Sequence, residues 1–183
     1  MSKPKRLFIV YISDPCIDID LSSKTLLYAL LVSHGIRVDT SLYIVSSRDT
    51  FYFNGYRLRH LYPQESSLHG FSKTVFCKKK KLSGVYYGYK LSPSKPLCLV
   101  KWGSRGYNVH RKPCIECSEI VIPVNLEDNT VNNIIGSDYR VLTIRAIPSD
   151  ILYRINIAHY LLDTWFGALI RRKGVVVEYD GEI

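Results

Sequence analysis

Leu26-Leu27-Tyr28-Ala29-Leu30-Leu31-Val32-Ser33-His34-Gly35-Ile36-Arg37-Val38-Asp39-Thr40-Ser41-Leu42-Tyr43-Ile44-Val45 runs from an apolar helix pattern, through a short polar turn, into an apolar strand pattern. The turn carries His34, Arg37 and Asp39. Polar groups held between two buried elements make a rigid site. The same residues also suit a plain helix end, with Gly35 closing the helix and a cation near its C-terminus.

Upstream, residues 6–13 form a continuous apolar run, as expected of a strand buried on both faces; Ser22 is placed to cap the following helix. Downstream, residues 41–46 continue as a second strand. Asn54-Gly55 between residues 50–53 and 56–61 predicts a two-residue hairpin, with Arg57 and Arg59 sharing one face. Pro63 suits a helix start, and Leu68, Phe71, Val75 and Phe76 give that helix an apolar face. Further strands are expected at residues 97–102, 119–124 and 139–144, with a short helix within 125–136. Pro148 and Ser149 start the longest helix, and 175–179 form a last strand or ordered tail. Alternating strands and helices predict an α/β fold with a largely parallel sheet.

The length of 183 residues predicts a single domain, 1–183, with a basic, loop-rich segment near 90–113. A net charge of +9 points to a polyanion, nucleic acid first. The candidate phosphate contacts are Arg57, Arg59, the run Lys78, Lys79, Lys80 and Lys81, and the pair Arg111 and Lys112. Tyr86, Tyr87 and Tyr89 follow the lysine run and offer rings for bases to stack on, or for a strand to bury. No apolar run reaches membrane-spanning length and the N-terminus does not read as a signal peptide, so a cytoplasmic protein is expected. Five cysteines favour reduced thiols over a disulfide framework, and zinc on Cys114 and Cys117 with Cys98 and His110 is the lesser alternative. Walker, G-x-G-x-x-G, G-x-S-x-G and H-E-x-x-H motifs are absent, which leaves nucleotide hydrolysis and metalloprotease chemistry unsupported.

Ser33-His34-Gly35-Ile36-Arg37-Val38-Asp39 resembles the S-H-x-I-R-x-D stretch of the archaeal tRNA pseudouridine N1-methyltransferases, the TrmY-type members of the SPOUT class. The likeness continues through Tyr43 and Gly55 to Leu58-Arg59-His60-Leu61-Tyr62-Pro63-Gln64-Glu65. It returns at Ile155-Asn156-Ile157-Ala158-His159-Tyr160-Leu161-Leu162-Asp163, similar to the family's I-x-x-x-H-x-x-L-D helix. The resemblance implies a SPOUT-type α/β fold with a C-terminal trefoil knot, a homodimer, S-adenosyl-L-methionine as cofactor, and tRNA or another structured RNA as substrate. It implies a catalytic turn in which Asp39 orients or deprotonates the base, Arg37 binds phosphate or offsets charge, and His34 shapes the loop. Three loops would cradle the cofactor, at Trp102 and Gly103; Ile122, Val124 and Asn125; and Ile144, Ala146 and Ile147. Where the family has a glycine-rich I-G-D-H-x-G, this chain reads Ile122-Pro123-Val124-Asn125-Leu126-Glu127-Asp128. That departure sets the alternative, an RNA-binding dimer without a cofactor. Leu161, Leu162, Trp165 and Phe166 supply the apolar surface expected to be covered in a homodimer.

Overall fold

The computed structural model describes residues 3–32, 35–103, 116–145 and 150–179. Its centre is β1 (Lys5–Tyr11), whose five inner residues are all buried. The strand lies between β4 (Thr40–Val45) and β8 (Glu119–Pro123), parallel to both. This explains its unbroken apolar run: alternate residues serve opposite cores. Phe8 and Val10 join Leu26, Leu30, Ile155 and Leu162 on one side; Leu7 and Ile9 join Tyr43, Leu99, Val121 and Val131 on the other.

Seven strands are ordered β6-β5-β4-β1-β8-β7-β9. Those not yet given are β5 (Thr50–Asn54), β6 (Val85–Tyr87), β7 (Leu97–Gly103) and β9 (Arg140–Arg145). The five from β4 to β9 are mutually parallel, and β5 and β6 add an antiparallel edge. The helices are α1 (Ile19–Leu30), α2 (Glu65–Ser72) with a π-helical turn at Lys73–Cys77, α3 (Asp128–Ile135) and α4 (Ile151–Phe166). Asp150 caps α4, its carboxylate accepting the Tyr153 amide at 2.8 Å. A second, antiparallel sheet is ordered β11-β10-β3-β2, with β2 (Leu31–Val32), β3 (Gly35–Arg37), β10 (Ala168–Arg172) and β11 (Val175–Tyr179). The mixed α/β architecture agrees with expectation. Two of the three loops expected at a knot, 101–106 and 143–148, fall partly outside the described residues.

Several local expectations are corrected. Gly35 does not close α1, which ends at Leu30; Gly35 lies in β3, where a Cβ would run into Ile170 of β10. Ser22 is not a cap, because α1 starts earlier, and its hydroxyl donates to the Pro15 carbonyl at 3.0 Å. The Asn54-Gly55 hairpin does not form. The chain turns back at once, with the Arg57 and Leu58 amides both donating to the Asn54 carbonyl, and β6 pairs with β5 instead. Glycine is needed at 55 because an added Cβ would meet the Arg37 and Thr40 carbonyl oxygens.

Two disulfides replace the expected thiols: Cys16–Cys77, with Cα atoms 5.0 Å apart, and Cys98–Cys117, 5.8 Å apart. Cys98 and Cys117 are therefore not zinc ligands, and no cluster suited to a metal occurs among the described residues. Of the four apolar residues expected to await a partner on α4, Leu161, Leu162 and Trp165 are buried within the one chain, and Phe166 is half-buried. No helix among the described residues is long and apolar enough to cross a membrane.

Candidate functional site

The quoted turn sits over a buried ionic centre. Arg37, 5% exposed, extends both guanidinium nitrogens to Asp163 of α4, at 2.9 and 2.8 Å. Arg6 of β1, 1% exposed, donates to the same carboxylate and to the Gly167 carbonyl. Asp39, 8% exposed, accepts the Leu169 amide at 3.0 Å and the Thr40 hydroxyl at 3.1 Å, and lies 3.9 Å from Arg6. Two guanidinium groups and two carboxylates thus balance inside the core, as buried charges must.

His159 completes the centre. Arg6 approaches its Nδ1 at 3.3 Å, and its Nε2 lies 3.0 Å from the Ala29 carbonyl. An arginine can only donate, so Nδ1 accepts and the proton sits on Nε2, donating to Ala29. Burial, then the Arg37 and Arg6 charges, hold this imidazole well below its ordinary value of 6.5, so it is neutral. Burial opposes ionisation of Asp163, but the Arg37 hydrogen bonds and the Arg6 and Arg37 charges outweigh it and lower its pKa.

Arg37 and Asp39 are therefore not a mutual pair. Each is buried and partnered: Arg37 ties the β3–β4 turn to Asp163 of α4, and Asp39 ties it to the Leu169 amide of β10. His34 lies outside the described residues. Arg6 and Asp163 were not singled out as site residues. The available signals were a charged residue heading an apolar strand, and His159 and Asp163 four apart on the buried face of α4.

The second region is the edge where the parallel strands β8, β7 and β9 end. Ligands of open parallel sheets bind at such carboxyl ends. Trp102 pairs with Ile144, and Gly103 with Arg145, bringing two of the expected cofactor segments side by side. Ile122, Val124 and Ile144 are fully buried in the core beside this edge. Asn125 is tied to the end of β1, exchanging two 2.8 Å hydrogen bonds with the Tyr11 backbone. The Trp102 indole donates to the Pro123 carbonyl at 2.7 Å, and Arg154 donates to the Val124 carbonyl while lying 5.7 Å from the centroid of the Trp102 ring. The edge thus offers an aromatic ring and a glycine, but the carbonyls of Pro123 and Val124 already have donors. Ala146 and Ile147 lie outside the described residues. A further cavity of about 350 Å³ lies at the ends of β1 and β4, lined by Ser13, Asp14, Ser46, Ser47, Arg48 and Lys79 among others.

The cationic candidates divide. Arg57 and Arg59 do not share a face: Arg57 donates to the Tyr86 hydroxyl at 3.1 Å, whereas Arg59 turns back to the Tyr56 and Leu58 carbonyls. Lys78, Lys79, Lys80 and Lys81 are exposed after the π-helical turn, with Lys79 paired to Asp49 at 2.7 Å. Arg111 and Lys112 lie outside the described residues. Tyr87 faces inward against Phe51, while Tyr86 and Tyr89 pack around Tyr52 on the opposite face, the Tyr52 and Tyr89 rings stacked 4.6 Å apart.

No family model matches the chain, and no curated protein sequence matches it. The crystal structure of Archaeoglobus fulgidus Nep1 bound to S-adenosylhomocysteine has a similar fold, with a TM-score of 0.55 over 87% of this chain and 97% of that one. At 8% sequence identity, the likeness concerns the fold alone.

Proposed function

We propose that this protein is an S-adenosylmethionine-dependent RNA methyltransferase of the SPOUT class, acting on tRNA pseudouridine N1 or a related T-loop base, as a homodimer. The observation that carries the reading is the shared fold with a protein crystallised with S-adenosylhomocysteine, together with the strand edge at Trp102, Gly103 and Ile144, where a parallel sheet accepts ligands. The net charge of +9 supports an RNA substrate. S-adenosylmethionine supplies an electrophilic methyl group, and the protein's part is orientation. Trp102 would offer a ring to the adenosyl group and Gly103 close backbone access. Arg37 and Asp39 would act by holding the β3–β4 turn, not by touching the base.

One observation favours a second reading, RNA binding without methyl transfer. The 122–128 loop has no glycine, and its Pro123 and Val124 carbonyls are occupied by Trp102 and Arg154. Calorimetric titration with S-adenosylmethionine and S-adenosylhomocysteine separates the two. The methyltransferase reading expects saturable heat and a stability gain of about 2.7 kcal/mol at a hundredfold excess over Kd. Absence of both at millimolar ligand, with RNA binding intact, would leave the second reading.

A further inference from the structure

Two arginines from distant parts of the chain converge on one pair of carbonyls. Arg59 Nη1 donates to the Tyr56 carbonyl at 3.2 Å and to the Leu58 carbonyl at 3.1 Å. Arg171 of β10 donates to the same two oxygens, through Nη2 to Tyr56 and through Nη1 to Leu58 at 3.3 Å. Leu58 is fully buried and fixes this segment, whereas the Tyr56 ring is 64% exposed and lies 5.6 Å from the Arg171 guanidinium. Among the described residues, no carboxylate forms an ion pair with Arg59 or Arg171, nor with the neighbouring exposed Arg172 and Lys173.

Satisfying two carbonyls does not require two cations. One guanidinium carries five N–H donors in a fork, and Arg171 alone reaches both oxygens. Adding Arg59 brings like charges together, an arrangement that costs energy until an anion sits between or beside them. The same proximity is felt by Arg171, whose guanidinium is pulled below its usual range by burial and then by Arg59. Fork-shaped donors suit phosphate oxygens, and an exposed ring beside them suits a base.

We infer that Arg59, Arg171 and Tyr56 form a nucleotide subsite for single-stranded RNA, with a backbone phosphate on the two guanidinium groups and an unpaired base stacked on the Tyr56 ring. The inference rests on the RNA-binding part of the proposed function and is independent of cofactor use. It joins a residue of the C-terminal sheet to the loop after β5, so the RNA track crosses from one sheet to the other. An unpaired base is required because a paired one cannot lie flat on an exposed ring.

Fluorescence anisotropy of the full chain with a labelled mixed-sequence single-stranded oligoribonucleotide, over a salt series, tests this directly. Arg59→Ala leaves Arg171 on both carbonyls, so the loop should stay folded; the affinity should fall about tenfold and the salt slope by about 0.7. Arg171→Ala, checked for an unchanged Tm, should do the same. Tyr56→Ala should weaken binding at least about fivefold with the slope unchanged, and Tyr56→Phe should bind as wild type. A duplex of the same sequence should be insensitive to Tyr56→Ala. Wild-type affinity and slope in Arg59→Ala and Tyr56→Ala, while the parent protein binds RNA, would overturn the subsite alone. A parent protein that binds no RNA at low salt would overturn the RNA reading and the subsite with it.

Discussion

Replacing Asp163 by Asn should be among the most damaging conservative changes in this protein. The carboxylate takes two hydrogen bonds from Arg37, at 2.9 and 2.8 Å, and one from Arg6. An amide is almost the same shape but has one acceptor oxygen, and its NH2 would face a guanidinium that can only donate. The buried group Arg6, Arg37, Asp39 and Asp163 is neutral as a set; the variant leaves two cations with Asp39 alone, 3.9 Å from Arg6. Breaking a buried pair from one side costs about 3–5 kcal/mol. Losing one to two charge-assisted hydrogen bonds, at about 1.5–3 kcal/mol each, reaches the same range independently. For a chain of this size each kcal/mol lowers Tm by about 2–4 °C, so a fall of about 6–20 °C is expected. Thermal unfolding followed by circular dichroism at neutral pH measures it, with urea denaturation checking that the m-value is unchanged. A fall of less than about 3 °C would refute the view that Arg37 and Asp163 are a structural pair, and would return Arg37 to the candidates for RNA contact.

Stability should drop on mild acidification because of His159. Its folded pKa is depressed below 6.5, so the unfolded chain binds the proton more readily; the contribution is full above that value and is lost as pH falls below it, at up to about 1.4 kcal/mol per pH unit. His159→Gln, which can still accept from Arg6 and donate to Ala29, should flatten the pH dependence of Tm between pH 6.5 and about pH 5; an unchanged profile would contradict the neutral tautomer. Gly55→Ala should cost about 3 kcal/mol, since the methyl meets the Arg37 and Thr40 carbonyl oxygens rather than flexible side chains, and a change within about 0.5 kcal/mol in chemical denaturation would show that the β3–β4 turn can give way. Thiol titration of the denatured, unreduced protein should find one free thiol, five cysteines less the four in Cys16–Cys77 and Cys98–Cys117; five reactive thiols would restore the reduced reading.

Much of the central sheet was legible because burial on both faces leaves a plain trace. Residues 6–13, 97–102 and 119–124 stand out as largely apolar runs on parallel strands, while 139–144, on the edge strand β9, alternates buried Leu142 and Ile144 with more exposed neighbours. The face of α4 was equally clear, since buried positions recur at helical spacing. What those apolar residues pack against was not clear. Leu162 and Trp165 read as a surface awaiting a partner, because a sequence does not show that the rest of the same chain covers them.

The turn carrying Arg37 and Asp39 shows the limit most sharply. Its residue types announced a polar site between buried elements, and that much is true of Arg37 and Asp39. Their partners, Asp163 for Arg37 and the Leu169 amide and Arg6 for Asp39, are more than a hundred residues away or on another element, and only folding brings the charges together. The same holds for Asn54-Gly55, where glycine was rightly marked as necessary but for the wrong cause: close approach of the Arg37 and Thr40 carbonyls, not hairpin geometry. It holds again for Arg59 and Arg171, and for Cys98 and Cys117. Local pattern determines which stretches are strands or helices, because periodicity and burial act over a few residues. Whether a given arginine neutralises a carboxylate or awaits a phosphate depends on long-range neighbours, since charge interactions are decided by distance and desolvation in three dimensions.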